Sequence, residues 1–387
     1  MKITKISLYK CNIQYRFKYS TWETKLSQAM VIKIETDIGL IGWGEYTVNR
    51  WKTEKIVVSS SRHLLNKNVE EIYNGLILKP ISGFSKVDEF LIGFDRRRRL
   101  VREGFSIALY DLLGKYKKKP IYQLFNNVGK VRNVVDAMPV IHVHSKEDRL
   151  KILQKWEELG VNFFKIKITG DLIKDKDHLS YLLLNKRVSS KILIVDANYG
   201  YKEQEDIVEL SKFTCENNIR YIQNPIKLSL SKTAKLMKRC DTKFTADNTP
   251  WWPNSKRVIR KKACVLVNHH PNIQGGLDWL MKTARFAETN GLPNIIGSSG
   301  TVGIQNTAFQ AMSAITGLGF PCEEITLEPY MKYFNDYYNF AENPNVIKNM
   351  NPLKDGQIHI NNNIGLGIDI DEDKIKRLTV WSQEVDA

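Results

Sequence analysis

The chain has 387 residues, with 58 Lys+Arg against 42 Asp+Glu and a formal charge of +16. Hydrophobic residues make up 42% and charged residues 26%, close to the proportions of folded soluble chains, which excludes wholesale disorder and collagen-like repeats. No apolar stretch reaches the roughly 18–20 residues of a spanning helix, and the length exceeds what one hydrophobic core usually supports, so two domains or one barrel plus an appendage is expected.

The start, Met1-Lys2-Ile3-Thr4-Lys5, alternates apolar and polar residues like a strand and lacks the apolar core of a signal peptide. The rest of the first 50 residues also reads as β. Ala29-Met30-Val31-Ile32-Lys33-Ile34-Glu35-Thr36 is rich in β-formers, and Asp37-Ile38-Gly39 turns the chain into Leu40-Ile41-Gly42-Trp43-Gly44-Glu45, a hairpin signature. From about 54 to 125 the pattern becomes helical. Ser106 to Lys115 has apolar residues at helical spacing, with Gly114 near the end. An N-terminal α+β unit follows, with its boundary placed at residue 130.

Beyond residue 135 short apolar strands alternate with amphipathic helices. The strands are expected at 138–143, 163–168, 192–195, 221–223, 244–246, 264–267, 294–296 and 322–325. In the helix after the sixth, Leu277, Leu280, Met281, Ala284 and Ala287 form one buried stripe. Eight strands at such steps predict a parallel (β/α)7β-type TIM barrel over 131–387, with 350–387 returning to β and turn and to the cap. A doubly wound open sheet is the rival, but no Gly-rich phosphate turn follows the first strand. The five cysteines, Cys11, Cys215, Cys240, Cys264 and Cys322, are scattered and odd in number without a CxxC, which predicts a reducing, cytoplasmic setting. The basic runs Arg96–Arg99 and Lys115-Tyr116-Lys117-Lys118-Lys119 carry no aromatic interleaving or zinc-finger spacing. Apart from two lysines of the strand ends, the positive charge reads as surface, and neither nucleic acid nor a membrane is expected as partner.

Barrel strands present their carboxyl ends to one shared mouth. The second ends in Lys165-Ile166-Lys167, whose period of two puts both lysines on one face. The third to fifth end in Asp196-Ala197-Asn198, Gln223-Asn224-Pro225 and Asp247-Asn248. Singly these are ordinary turn or cap residues. Together, two acids and an amide at successive strand ends supply oxygen ligands for a hard cation such as Mg²⁺. The sixth runs into Asn268-His269-His270, with Asn268 and His270 on one face, across the barrel from the lysines.

The ordered set resembles the enolase superfamily, its muconate-lactonizing and dipeptide-epimerase branch, over essentially the whole chain. Gly42-Trp43-Gly44-Glu45 is similar to the capping domain. Ala108-Leu109-Tyr110-Asp111-Leu112-Leu113-Gly114-Lys115 followed by Pro120 is similar to the helix before the barrel. Lys165 and Lys167 resemble the lysine pair, Asp196-Ala197-Asn198 the first metal motif, and Gly275-Gly276-Leu277 the diglycine after strand six. Asp355-Gly356 and Gly365-Leu366-Gly367 resemble the closing segment. The resemblance implies metal-assisted removal of a proton α to a carboxylate, chemistry in which Lys or His bases work with Mg²⁺. Lys167 would be the base. Lys165 would lower its pKa by like-charge repulsion and help neutralise the substrate carboxylate. Asp196, Gln223 and Asp247 would hold Mg²⁺ or Mn²⁺. Because Gln223 stands where the family has Glu, weaker metal binding is expected.

His270 falls where this branch carries a second lysine. An unperturbed pKa near 6.5 would suit it to proton return. Trp22, in the loop where the family closes over substrate, Asn198, Asn248, Asn268, Ser298, Ser299, Thr301 and Glu324 would face the substrate. The family's strand-seven acid is missing from Ser298-Ser299-Gly300-Thr301. The expected activity is that of a racemase, epimerase or cycloisomerase of a small carboxylate, in a homo-oligomer. The alternatives are an acid-sugar or hydroxy-acid dehydratase with His270 as the acid, or a catalytically silent relative that only binds.

Overall fold

The alternation at the start of the chain forms a strand. In the computed structural model, which describes residues 1–18, 23–48, 51–74, 95–125, 131–247, 249–250, 252, 254–297, 299–316, 320–323, 334 and 343–387, β1 (Ile3–Lys18) pairs antiparallel with β2 (Glu23–Thr36), and β2 with β3 (Ile41–Thr47). Asp37-Ile38-Gly39 makes the second connection, with Gly39 at φ +76°, a conformation that favours glycine. The period of two decides what each face covers. Met30, Ile32 and Ile34 join one buried cluster, and Ala29 and Val31 between them join another that continues into the second half of the chain.

Helices α1 (Glu54–Leu64), α2 (Val69–Asn74) and α3 (Arg96–Lys117) follow. Asp95 starts α3 by accepting from the Arg97 amide at 3.0 Å, and Lys118 ends it in the left-handed conformation. Every residue of α3 from Arg99 to Gly114 is buried, the pattern of a helix covered all round. Gly44 lets β3 lie against it, because a Cβ there would stand 2.1 Å from the Gly104 carbonyl oxygen.

After β4 (Val134–Asp136), a parallel sheet is built from β5 (Val140–Ile141), β6 (Phe164–Lys167), β7 (Ile192–Asp196), β8 (Tyr221–Gln223), β9 (Lys243–Ala246), β10 (Leu266–His269) and β11 (Asn294–Ile296), in sequence order across the sheet. The intervening helices are α4 (Lys146–Glu158), α5 (Leu172–Leu183), α6 (Lys186–Ser189), α7 (Gln204–Glu216), α8 (Leu230–Arg239), α9 (Ser255–Arg260), α10 (Pro271–Gln274) and α11 (Leu277–Thr289), and α12 (Ile304–Ser313) follows β11. The first expected strand shortens to two residues, and the sixth moves two residues later so that it takes in Asn268 and His269. The sheet curls. Cys322 bridges Ala137 before its first strand and Ile296 in its last, so one residue links both edges. Cys322 donates to the Asp136 carbonyl and accepts from the Met138 amide, both at 2.8 Å, and the Glu323 amide reaches Ile296 O at 2.8 Å. The remainder of the expected eighth strand, 324–325, lies outside the described residues.

The tail forms β12 (Leu353–Lys354) and β13 (Gln357–His359), which join β4, then α13 (Glu372–Leu378) and β14 (Thr379–Asp386), which pairs antiparallel with β1. Buried polar side chains fasten the first unit to the parallel sheet's helices. Glu45 of β3 accepts from the amides of Val302 (2.5 Å) and Gln305 (2.9 Å) at the start of α12, where helix dipole and free N–H groups favour an anion. Arg102 of α3 pairs with Asp278 at 2.7 Å and donates to the Gly275 carbonyl at 2.5 Å. Asp111 accepts from the Trp43 amide (3.0 Å) and the Leu366 amide (2.8 Å), tying β3, α3 and the Gly365-Leu366-Gly367 turn. The expectation that positive charge beyond the lysine pair lies on the surface is corrected here. Arg99, Arg102 and Arg149 are buried too, and the interior supplies a carbonyl to the tips of Arg102 and Arg149.

Candidate active site

Parallel register lines up the chemistry. Lys167 of β6 stands beside Asp196 of β7, and Asp196 beside Gln223 of β8. Gln223 stands beside Thr245 of β9, two residues before Asp247, and Ala246 beside Val267, one before Asn268. Neighbouring strands lie about 4.8 Å apart, so these side chains form a row of hydrogen-bonding neighbours at one end of the sheet.

The distances bear this out. Lys167 Nζ lies 2.5 Å from Asp196 Oδ2, and Lys165 Nζ lies 3.6 Å from the same oxygen. Lys165 also donates to both Glu323 oxygens, at 2.9 and 3.0 Å. The Gln223 amide nitrogen donates to Asp196 Oδ2 at 3.0 Å and to Asp247 Oδ2 at 2.9 Å. Asn224, at φ +44°, adds a 2.5 Å bond to Asp247 Oδ1. Asn268 Nδ2 donates to Gln223 Oε1 (3.2 Å) and Glu323 Oε1 (2.9 Å). The eight residues from Lys165 through Glu323 in this network are buried.

Burial works against charge here, and the pairs decide the outcome. It would lower Lys165, but Glu323 and Asp196 raise it above the ordinary lysine value. It would raise Asp196, but Lys167 and Lys165 hold that carboxyl below its usual range. Asp247 is raised by burial and by the Asp196 charge, and Glu323 by burial against the pull of Lys165. Two expectations change. Lys165 and Lys167 are ammonium groups sharing a carboxylate rather than a bare like-charge pair. His270 does not titrate near neutrality. Burial first, then the Lys165, Arg96 and Lys167 charges, push it down to about 3, so its ring is neutral at physiological pH.

His270 precedes α10, and its Nδ1 is covered without a partner. Asp196 Oδ1 closes the turn by accepting from the Asn198 backbone N–H at 2.9 Å, and the Asn198 side-chain Oδ1 is likewise covered and unpartnered. Ser299 and Thr301 are not brought to the lysines. Ser299 bonds Gln305 at 3.0 Å and Thr47 at 3.3 Å, while Thr301 bonds Asn306 and the Gly303 amide at the start of α12. These bonds lie at the seam between β3 and α12. Trp22, Asn248, Ser298 and Glu324 lie outside the described residues.

Glu323 had no assigned role in the sequence, and Asn224 and His142 went unnoticed. Val140 and Ile141 pair with Lys165 and Ile166, which sets His142 beside Lys167. Burial, then the Lys167 and His144 charges, hold His142 well below its ordinary pKa. The available signal was the alternation His142-Val143-His144 at a strand end, the same signal Lys165-Ile166-Lys167 gave.

Ion-paired lysines and carboxylates at the carboxyl ends of a curled parallel sheet, under an α+β cap, define an α/β enzyme of the barrel-like class. The family profile described as enolase C-terminal domain-like matches residues 148–374, and the mandelate racemase / muconate lactonizing enzyme N-terminal domain matches residues 11–126. The chain belongs to the mandelate racemase / muconate lactonizing enzyme branch of the enolase superfamily. It is 26% identical to the N-succinyl-L-Arg/Lys racemase of Bacillus cereus over the full length of both chains. It is 24% identical to muconate cycloisomerase 1 of Acinetobacter baylyi, over 93% of this chain and 94% of that one. The crystal structure of the Bacillus cereus racemase superposes with a TM-score of 0.84 at 21% identity, covering both chains fully. A dipeptide epimerase of Cytophaga hutchinsonii, complexed with Mg and a dipeptide, superposes at 0.81 with 18% identity, again over both full chains.

Proposed function

We propose that this chain is an isomerase that removes and returns the proton α to a carboxylate in a small substrate, as a racemase, epimerase or cycloisomerase. The row Lys167–Asp196–Gln223, with Lys165 on the same face and His270 two residues past Asn268, carries the reading. Catalysis from both faces of a planar intermediate needs a base on each. Lys167 serves one face. In the structure it donates to Asp196, so it acts as a base only once it has given up a proton and turned from that carboxylate to the substrate. Lys165, kept charged by Glu323 and Asp196, neutralises the substrate carboxylate. His270, an uncharged ring whose Nδ1 has no partner, takes the proton on the other face while the Lys167 ammonium delivers one to the first, and the reverse reaction exchanges these roles.

Asp196 and Asp247 carry the two carboxylates of a cation site, and Gln223 between them can present an oxygen if its amide turns. These donors suit Mg²⁺ or Mn²⁺, which would supply a Lewis acid for charge developing on the substrate carboxylate. The five buried ionisable groups, two lysines against three carboxylates, leave one negative charge if all are ionised, where a Glu at 223 would leave two. Cation binding is accordingly weak in our reading. That balance also favours a second reading, a silent relative that binds carboxylates without turnover.

We further propose a cap over 1–130, a (β/α)7β barrel over 131–387 that ends back on the cap, and a cytoplasmic homo-oligomer. All five cysteines are free, and no helix among the described residues is long and apolar enough to cross a membrane. The test is α-hydrogen exchange in D₂O with Mg²⁺, run on a library of carboxylates, N-acylated amino acids and dipeptides. Exchange from both enantiomers is expected. Exchange from one alone would contradict the two-base scheme, and none from any substrate would favour the silent reading.

A further inference from the structure

Gln223 and Asn268 are linked amides whose orientations constrain one another. Gln223 Nε2 sits between Asp196 Oδ2 (3.0 Å) and Asp247 Oδ2 (2.9 Å), the position from which a shared cation would neutralise both carboxylates. Its Oε1 is held by two donors, the Thr245 hydroxyl at 3.2 Å and the Asn268 amide nitrogen at 3.2 Å. A hydroxyl can reverse its role in place, but a carboxamide cannot.

We propose that these two amides act as a coupled latch that keeps the substrate-free site shut to divalent cations, and that a cation is admitted only when both turn over. This rests on the reading of Asp196, Gln223 and Asp247 as the cation's holders. To offer Oε1 to a cation, Gln223 must swing its NH₂ toward Asn268 Nδ2, which sets two donors face to face. Turning Asn268 as well removes that conflict but sets its carbonyl oxygen against Glu323 Oε1. That carboxylate now takes a 2.9 Å bond from Asn268 and two bonds from Lys165. The present orientation of Asn268 is therefore dictated by its nitrogen's two acceptors. Its oxygen is covered and has no partner, so nothing on that side resists or rewards a turn. Asn268 donates to Glu323 on one side and to Gln223 on the other, and Gln223 donates on to the aspartate pair, so a residue that is no ligand controls the affinity.

Asn268→Ala removes the blocking NH₂ and leaves the ligands intact. Titration of the substrate-free protein with Mg²⁺ by calorimetry, and with Mn²⁺ by water-proton relaxation, is expected to show binding at least tenfold tighter than in the wild type. Asn268→Ser carries the same expectation, since a hydroxyl can donate to Glu323 while accepting from Gln223, and it replaces the alanine variant if circular dichroism shows that one misfolded. Gln223→Glu serves as the reference and should bind tightest, with a cation-dependent rise in thermal midpoint. If Gln223→Glu binds but the Asn268 variants bind no tighter than the wild type, the latch is wrong while the site stands. If Gln223→Glu folds and still takes up neither cation, the assignment of the three holders falls, and the latch with it.

Discussion

Lys167 is the residue on which the chemistry turns. Its nitrogen lies 2.5 Å from a carboxylate held below its usual pKa range, so the resting state is an ion pair rather than a free base. Lys167→Ala is expected to lower α-hydrogen exchange by about 10²–10⁴-fold, the range general acid–base catalysis supplies. The protein should stay folded, since Lys165 still faces Asp196 at 3.6 Å. His270→Asn should act on one side only, abolishing exchange from one enantiomer and sparing the other. Equal losses from both would remove His270 from the proposed pair of bases.

At the scale of elements, Glu45 joins β3 to α12. Burial pushes its carboxyl up to about 7, against the four α12 amides that favour its charge. In the unfolded chain it would ionise near 4.5. Between these values the native state binds more protons, so this group's contribution is fully present below about pH 4.5 and is lost as pH rises through 7. The loss is about 3 kcal/mol. Glu45→Gln removes the titration. The stability difference between wild type and variant should therefore shift against the wild type as pH rises from 4.5 to 7.5 in denaturant unfolding. Parallel curves across that range would refute the assignment.

Local patterns on the elements were legible in the sequence. The hairpin turn at Asp37–Gly39, the lysine pair of β6 and the order of strand-end residues follow from period, turn chemistry and spacing. What was not legible depends on which distant side chains meet. Glu323 becomes Lys165's partner only because the curling of the sheet brings residues 158 apart in sequence together. His270's neutrality comes from desolvation and from charges on other strands and on α3. Arg99 looked like a member of a solvated run because sequence alone does not show that α3 is covered on all sides.

At the scale of the whole molecule, the chain leaves the cap sheet after β3, builds the parallel sheet and comes back as β14 on the outer side of β1. Removing residues 379–387 would strip β1 of a partner registered from Lys5 to Cys11 and leave its backbone groups open to other chains. Such a truncation is expected to aggregate on expression or elute as larger species in size-exclusion chromatography. A monodisperse product with unchanged thermal midpoint would show that β14 contributes little.

The return of β14 to β1 also bears on synthesis. The strand that covers the edge of β1 is made about 360 residues after it. At 5–20 residues per second, that edge waits roughly 20–70 s on the ribosome. During that interval the sheet has three strands, with β1 as an open edge in addition to β3. Its protection against neighbouring nascent chains then depends on chaperones or on the solubility of Lys5 and Lys10 along that edge.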